Sequence, residues 1–384
     1  MTNRERVRIR FGPKASGRPA WSAVVAALAL ALSGLSATAA AEVTVHDPGE
    51  AFAGYNLRVS HYPPGAVLMD MDGNTLHEWK CRFVDAFPGV DVPDEPGFSD
   101  RWTNARLLPN GDVLGILGGL GLVRLDRTSR ILWAHEGGEH DDLAVTEDGA
   151  IYVLGSAWNK VNWVNQKNPV LEDYVLVLGA NGDVMNRVSL LSAISASDFS
   201  NITKTAHMSR SDHVLRANSL QVLDGSFSDR ISNFAKGNVL VSLRGLDTIA
   251  VLDLESKTLL WTQFGMWLGQ LDSTLLPGGD VLLLEYPDGD PRVIEFDPVT
   301  MEVKWTYERD SGGFVDNQWG GAVQRLPNGN TLISESGRGR AFEVTPRGDV
   351  VWEYASPMTE GARTPAPFEL TRIMPEFPMD WLGN

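Results

Sequence analysis

The sequence predicts an all-β fold, a six-bladed β-propeller with four-stranded antiparallel blades. The first observation behind this is a pattern written three times between Gly237 and Tyr354. Gly237-Asn238-Val239-Leu240 leads through residues 249–253 to Leu259-Leu260-Trp261. Gly279-Asp280-Val281-Leu282 leads through 293–297 to Val303-Lys304-Trp305, and Gly329-Asn330-Thr331-Leu332 through 341–345 to Val350-Val351-Trp352. Each copy is a turn, a short apolar strand, a second strand closed by a polar residue, and a third strand ending in Trp. The second observation is spacing: these Trp residues lie 44 and then 47 residues apart, the length of a blade of short strands. The third is number. The outer-strand signature recurs near residues 79, 133, 185, 261, 305 and 352, which is six times. One blade cannot bury both of its faces, whereas a closed ring gives each sheet a neighbour on either side.

Residues 1–41 read as a segment outside that ring. Arg4, Arg6, Arg8, Arg10, Lys14 and Arg18 precede an apolar run at 20–35, followed by Ala37-Thr38-Ala39-Ala40-Ala41. A basic start, an apolar centre and a small-residue end make a secretory signal peptide. The run is shorter than the roughly 20 residues that span a bilayer. Cleavage is therefore expected, with a membrane association only if the segment stays uncleaved. The expected location is periplasmic or secreted. Cys81 is the only cysteine, so no internal disulfide can form.

The first blade-like unit lies within 55–81, with a strand at 66–70, a turn at Asp72-Gly73 and a strand at 75–79. Residues 82–102, with Pro88, Pro93 and Pro96, read as a loop over one face of the ring. The second unit opens at Asn104 and turns at Pro109-Asn110-Gly111-Asp112. The third begins at His140, turns at Asp148-Gly149 and lacks the terminal Trp. Gly149 and Gly237 are 88 residues apart, about twice the neighbouring spacings, so an insertion is expected at about 189–211. The propeller is expected over 42–358. The Pro-rich tail at 359–384 is expected along the rim or as a closing element.

A net charge of −16 excludes nucleic acid as a partner, because phosphate binding needs a basic surface. None of the seven His residues has the spacing of a zinc or haem ligand set. Neither a Gly-rich phosphate loop nor a Gly-x-Ser-x-Gly elbow is present. No metal and no cofactor is expected. In a propeller the first strand of every blade lines the channel, so residues at those strand starts meet at one mouth. Counting back from the hairpin glycines brings His140, Arg216, Asn218 and Asp272 together there, with Arg244 beside Asn218 in the fourth blade. Arginine forks and an imidazole suit an oxyanion such as sulfate or phosphate. For Asp272 a strand-start staple, and for Arg244 a structural ion pair, are equally natural roles.

Several stretches carry a family likeness. They are Leu68-Met69-Asp70-Met71-Asp72-Gly73 with His77-Glu78-Trp79, Glu139-His140-Asp141-Asp142, and Ala217-Asn218-Ser219. Val241-Ser242-Leu243-Arg244, Gly269-Gln270-Leu271-Asp272, residues 324–333 and Phe342-Glu343-Val344-Thr345 complete the set. Across residues 54–354 the chain resembles the bacterial arylsulfate sulfotransferase family of six-bladed propellers. The resemblance implies a periplasmic enzyme that moves a sulfuryl group from an aryl sulfate ester to a phenol through a sulfated His. The partners implied are a small aromatic sulfate ester or a phenol. The family's Gln-His-Asp stretch reads Gln270-Leu271-Asp272 here, so leucine stands where the nucleophile is expected. Its His-x-Asn-Ser stretch reads Arg216-Ala217-Asn218-Ser219, and its His-His-Asp stretch reads His140-Asp141-Asp142. The expected site therefore has His140 and Arg244 as catalytic groups, and Arg216, Asn218, Gln270 and Asp272 as substrate-binding groups. His213 is set aside, because an odd offset from Arg216 along a strand faces away. Two functions follow. One is sulfuryl transfer at the central funnel, altered or weakened by Leu271. The other is a non-catalytic exported propeller that binds an anionic aromatic ligand or a protein partner.

Overall fold

A computed structural model describes residues 42–61, 64–90, 101–205, 212–287, 290–308, 320–356 and 369–383. The signal-peptide reading at 1–41 and the end of the 189–211 insertion lie outside the described residues. After β1 (Glu42–His46) come β2 (Tyr55–His61), β3 (Pro64–Met69) and β4 (Thr75–Lys80) of blade 1. Blade 2 is β5 (Trp102–Leu107), β6 (Val113–Leu117), β7 (Gly121–Leu125) and β8 (Ile131–Glu136). Blade 3 is β9 (Glu139–Val145), β10 (Ile151–Asn159), β11 (Val170–Leu178) and β12 (Val184–Ser189). Blade 4 is β13 (Ala217–Val222), β14 (Val239–Leu243), β15 (Thr248–Asp253) and β16 (Thr258–Phe264). Blade 5 is β17 (Leu271–Leu275), β18 (Val281–Glu285), β19 (Arg292–Phe296) and β20 (Val303–Glu308). Blade 6 is β21 (Ala322–Arg325), β22 (Thr331–Glu335), β23 (Arg340–Val344) and β24 (Val350–Ala355), and β25 (Leu370–Ile373) follows. The six sheets are antiparallel and four-stranded, with β1 added to the outer edge of blade 6 as a fifth strand.

Burial along each blade follows from sheets packed on both faces. The second strands β6, β14, β18 and β22 are buried at every residue. A strand covered on both sides shows a continuous apolar run instead of alternation. The outer strands β4 and β20 are mostly exposed, and in each the penultimate residue is the buried one. The recurring Trp has a definite task. Trp133 donates to the Ala180 carbonyl at 3.1 Å, Trp305 to Pro346 at 2.9 Å and Trp352 to Met71 at 2.8 Å. Each indole thus reaches a turn of the next blade. Trp79 does the same at the Gly111 carbonyl, 3.1 Å away. Gly111 has φ of 84°, and a Cβ there would lie 2.5 Å from the Trp381 ring, so the turn admits only glycine. Blade 3 has no terminal Trp, and Asn186 bonds Leu254 of blade 4 at 3.4 Å instead.

The long connection between blades 3 and 4 carries two short helices, α1 (Leu190–Ala196) and α2 (Ile202–Thr205). Ser189 caps α1 by accepting from the Ser192 amide at 2.9 Å. Leu190, Leu191, Ala193 and Ile194 are buried among side chains of blades 3 and 4. The two helices thus fill space between blades 3 and 4.

Ring closure comes from both ends of the described chain. Residues 370–373, within the expected Pro-rich tail, form the innermost strand of blade 1 against β2. Arg372 fixes this strand. It is fully buried, donates to Asn56 Oδ1 at 2.8 Å and to Glu343 Oε2 at 2.9 Å, and also reaches the Phe52 carbonyl. One side chain thus ties blade 1 to blade 6.

Candidate functional site

The innermost strands β25, β5, β9, β13, β17 and β21 line the channel. All begin at one end, termed here the upper mouth, and those of blades 2 to 6 end at their first hairpins on the other. Pairing with the second strands places Glu369, Asn104, Asp142, Ser219, Asp272 and Ala322 at equivalent positions. Most of these are staples between blades. Asp142 Oδ2 accepts from Leu220 N at 2.9 Å, Ser219 Oγ from Ser273 N at 2.9 Å, and Asp272 Oδ2 from Val323 N at 2.6 Å. Asn104 Nδ2 donates to both Asp142 Oδ1 and Glu369 Oε1 at 3.3 Å. Ala322 cannot staple, and Gln324 takes the task by accepting from Arg372 N at 2.8 Å.

Asp142, Asp272 and Glu369 form an acidic girdle in the channel with Arg106 beside it. Burial pushes the Asp142 carboxyl up. Burial and then the charge of Asp142 raise Asp272 to about 7. Burial, Asp272 and Asp142 hold Glu369 well above the usual carboxylate range. Below the girdle a cavity of about 750 Å³ reaches the hairpin end, lined in part by Tyr152, Gln221 and Lys236.

The upper mouth has the opposite character. At each of three inner-strand starts a non-glycine residue is left-handed: Asp141 with φ of 55°, Arg216 with 50° and Asp272 with 46°. Strand pairing is irregular beside all three. Left-handed backbone costs a side-chain-bearing residue roughly 1–2 kcal/mol, and bulges re-aim side chains at strand ends. Arg216 is exposed at this mouth, and Arg244 lies in the turn that follows β14, outside the strand proper. Burial lowers the Arg244 pKa and the like charge of Arg216 lowers it further, with Asp141 and Tyr286 opposing. Among the described residues neither arginine makes a side-chain hydrogen bond or ion pair. Arg101, partly desolvated, is coupled to the same Asp141.

Beside the arginines lies a buried relay. Asp173, on β11, is fully buried. His213 Nε2 donates to Asp173 Oδ1 at 2.7 Å, and Ala217 N donates to Oδ2 at 3.2 Å. His140 Nε2 is 3.3 Å from Asp173 Oδ1, within ion-pair range but poorly aligned for a hydrogen bond, and Nδ1 is 3.1 Å from Asp141 Oδ2. Burial alone would depress the His140 pKa. Asp141 and Asp173 outweigh it and lift the imidazole to about 10, so His140 is a cation at neutral pH. Burial alone would raise Asp173, and the two imidazoles bring it down to about 2.

The six expected site residues therefore separate. His140, Arg216 and Arg244 stand together at the upper mouth. Asn218 is near them, its amide nitrogen bonded to the Gln270 carbonyl at 2.8 Å and its Oδ1 buried without a partner among the described residues. Gln270 is fully buried and donates to Ser242 Oγ at 3.2 Å and Thr248 O at 2.9 Å, which pins blade 5 to blade 4. Asp272 belongs to the girdle, as a staple. Leu271 is 4% exposed and packs with Leu284, Tyr286 and Val323.

Sequence reasoning missed Asp173 and set His213 aside. His213 precedes β13 and makes a single bridge to Leu171, so the alternation argument applied to a strand does not hold for it. A signal for Asp173 was present. An acid inside the apolar run 170–178 must find partners when the strand is buried.

The arylsulfotransferase (ASST) family model matches residues 104–357, about two thirds of the chain. The chain belongs to the arylsulfotransferase family. The match runs from the inner strand of blade 2 through blade 6 and includes every upper-mouth residue discussed above except Arg101. No curated protein matches the chain. A protein of unknown function from Bacteroides caccae superposes with TM-score 0.53 at 14% identity, covering 83% of this chain and all of that one. A functionally unknown protein from Desulfotomaculum acetoxidans gives TM-score 0.48 at 10% identity, with 84% and 100% coverage. Virginiamycin B lyase from Staphylococcus aureus gives 0.41 at 10% identity, with 79% and 84% coverage. The first of these supports the propeller architecture and says nothing of activity.

Proposed function

We propose that this arylsulfotransferase-family propeller binds the sulfate head of an aryl sulfate ester at the upper mouth and transfers the sulfuryl group to a phenol. The carrying observation is the placement of Arg216 and Arg244, which make no side-chain hydrogen bond or ion pair among the described residues, beside protonated His140. A sulfate ester carries one negative charge spread over three oxygens. Cations set in a partly desolvated mouth stabilise that charge as it shifts toward the leaving oxygen in transfer. Family membership supports this class of reaction. The basic, then apolar, then alanine-rich segment at 1–41 supports an exported protein acting in the periplasm or outside the cell.

Turnover of 4-nitrophenyl sulfate with phenol as acceptor tests the reading. Arg244→Ala is expected to lower kcat/KM by about 10²–10³-fold while the melting temperature stays put. Turnover unaffected by Arg244→Ala, or none at all, would sink it. A second reading has one observation in its favour: Leu271 is packed into the core where the family places its nucleophile. On that reading the mouth only binds an anionic aromatic ligand or a protein partner. Saturable binding of an aryl sulfate without turnover would select it.

A further inference from the structure

Resting on the anion site of the proposed function, we infer that Tyr286 is a further substrate-binding residue whose hydroxyl donates to the sulfuryl group at the upper mouth. The repeat of the blades places it there. The second strands of blades 4, 5 and 6 run toward this mouth and end at Leu243, Glu285 and Glu335. The residues that follow are Arg244, Tyr286 and Ser336. Tyr286 thus holds in blade 5 the position that Arg244 holds in blade 4. It also packs in one cluster with Leu271, which stands where the family's nucleophile is expected.

The phenol reaches from blade 5 toward blade 6. A Cβ on Gly321, the residue before β21, would lie 2.8 Å from the Tyr286 hydroxyl oxygen and 2.8 Å from Leu284 Cδ2. Glycine at this inner-strand start leaves the phenol its room beside the channel. Tyr286 is 6% exposed, and its hydroxyl makes no hydrogen bond among the described residues. A buried hydroxyl that lacks a partner is costly, and the oxygens of a bound oxyanion supply acceptors.

The charges around the hydroxyl suit a neutral donor. Burial holds the phenol well above its usual range, and the charge of Glu335 adds to this, while Arg338 and Arg244 oppose. Tyr286 therefore keeps its proton wherever the protein is folded at ordinary pH. Glu335 is itself paired with Arg340 at 3.1 Å, which reduces its repulsion of an anion. Arg244 and Tyr286 each shift the other's titration, so the cation and the neutral donor stand beside one another. A sulfuryl group offers three oxygens. Arginine neutralises their charge, and a preorganised hydroxyl adds a hydrogen bond to them without adding charge.

Tyr286→Phe keeps the ring and removes only the hydroxyl. With 4-nitrophenyl sulfate and phenol it should lower kcat/KM by about 10–10²-fold and leave the melting temperature in place. Inhibition by inorganic sulfate should weaken with it, while the KM for phenol stays the same. A merely structural role would not single out the sulfuryl group in this way. In an active wild type, an unchanged kcat/KM and sulfate inhibition in the variant would overturn this inference alone. So would a rise confined to the phenol KM, or a sulfuryl adduct on the Tyr286 peptide, which would make that residue the nucleophile. A wild type that turns over no aryl sulfate sinks the transferase reading, and binding of 4-nitrophenyl sulfate then decides this one. A Kd raised about tenfold or more in Tyr286→Phe sustains it, and an equal Kd, or no binding to either protein, overturns it.

Discussion

The two halves of the channel are built from the same structural position and carry opposite charge. At the upper mouth Arg101, Arg216, Arg244 and His140 gather around Asp141 and Asp173. A few residues further along the same strands, Asp142, Asp272 and Glu369 crowd together with Arg106 as their near cation. The lower acids accept backbone and side-chain hydrogen bonds from neighbouring blades. Among the described residues Arg216 and Arg244 make no side-chain hydrogen bond or ion pair. Charge that is tied into hydrogen bonds serves the ring, and on the proposed function the charge of Arg216 and Arg244 serves a ligand. On the proposed function, stability and function lie on different residues at neighbouring positions, and substitutions can separate them.

The largest separation is expected at the closure. Arg372 and Glu343 are both wholly buried, and removing one member of a buried pair strands the other charge. Arg372→Met should cost about 3–5 kcal/mol of unfolding free energy, read by urea denaturation. Arg216→Ala, at the mouth, should change stability by no more than ~0.5 kcal/mol while lowering aryl sulfate affinity. An equal loss from both would end the division drawn here.

Leu271→His probes the boundary between the halves. Placing an imidazole in the Leu284–Tyr286–Val323 cluster is expected to cost about 1–3 kcal/mol. If the mouth is otherwise complete, the variant should gain a sulfated intermediate, seen as a mass increase with donor alone.

Base should weaken both halves, and strong acid the upper one through Asp173. Asp272 and Glu369 have raised folded pKa values, so the folded state holds their protons more tightly. Their burden is absent below the unfolded carboxylate range and grows as pH rises through about 7 for Asp272. His140, raised to about 10, contributes stability that is full below its unfolded value and disappears as pH passes about 10. Asp173, lowered to about 2, contributes stability present above its unfolded value and lost as pH falls toward 2. The melting temperature should therefore fall from about pH 5 to about pH 9. Asp272→Asn, which keeps an acceptor for Val323 N, should flatten that slope. An unchanged slope would remove Asp272 from the account. A smaller loss than at the closure is expected at Trp352→Phe, which removes one indole bond to Met71 and should cost about 1 kcal/mol.

Much of this was legible in the chain. Trp spacing and hairpin glycines determine blade number and strand order, because a blade needs a fixed length and each tight hairpin needs a left-handed residue at a fixed place. Counting from those glycines was enough to bring His140 and Arg216 to one mouth, and Arg244 was reached through its place beside Asn218. Tertiary structure decided the rest. It moved Gln270 into a blade interface and made Asp272 a staple, because a polar residue at a channel position bonds whichever backbone amide the next blade presents. It brought the strand at 370–373 into blade 1, more than 300 residues from its partner β2. It also paired His213 with Asp173, two residues 40 apart in sequence. Such pairings leave no periodic trace, since they depend on how neighbouring blades pack and not on the pattern within either one.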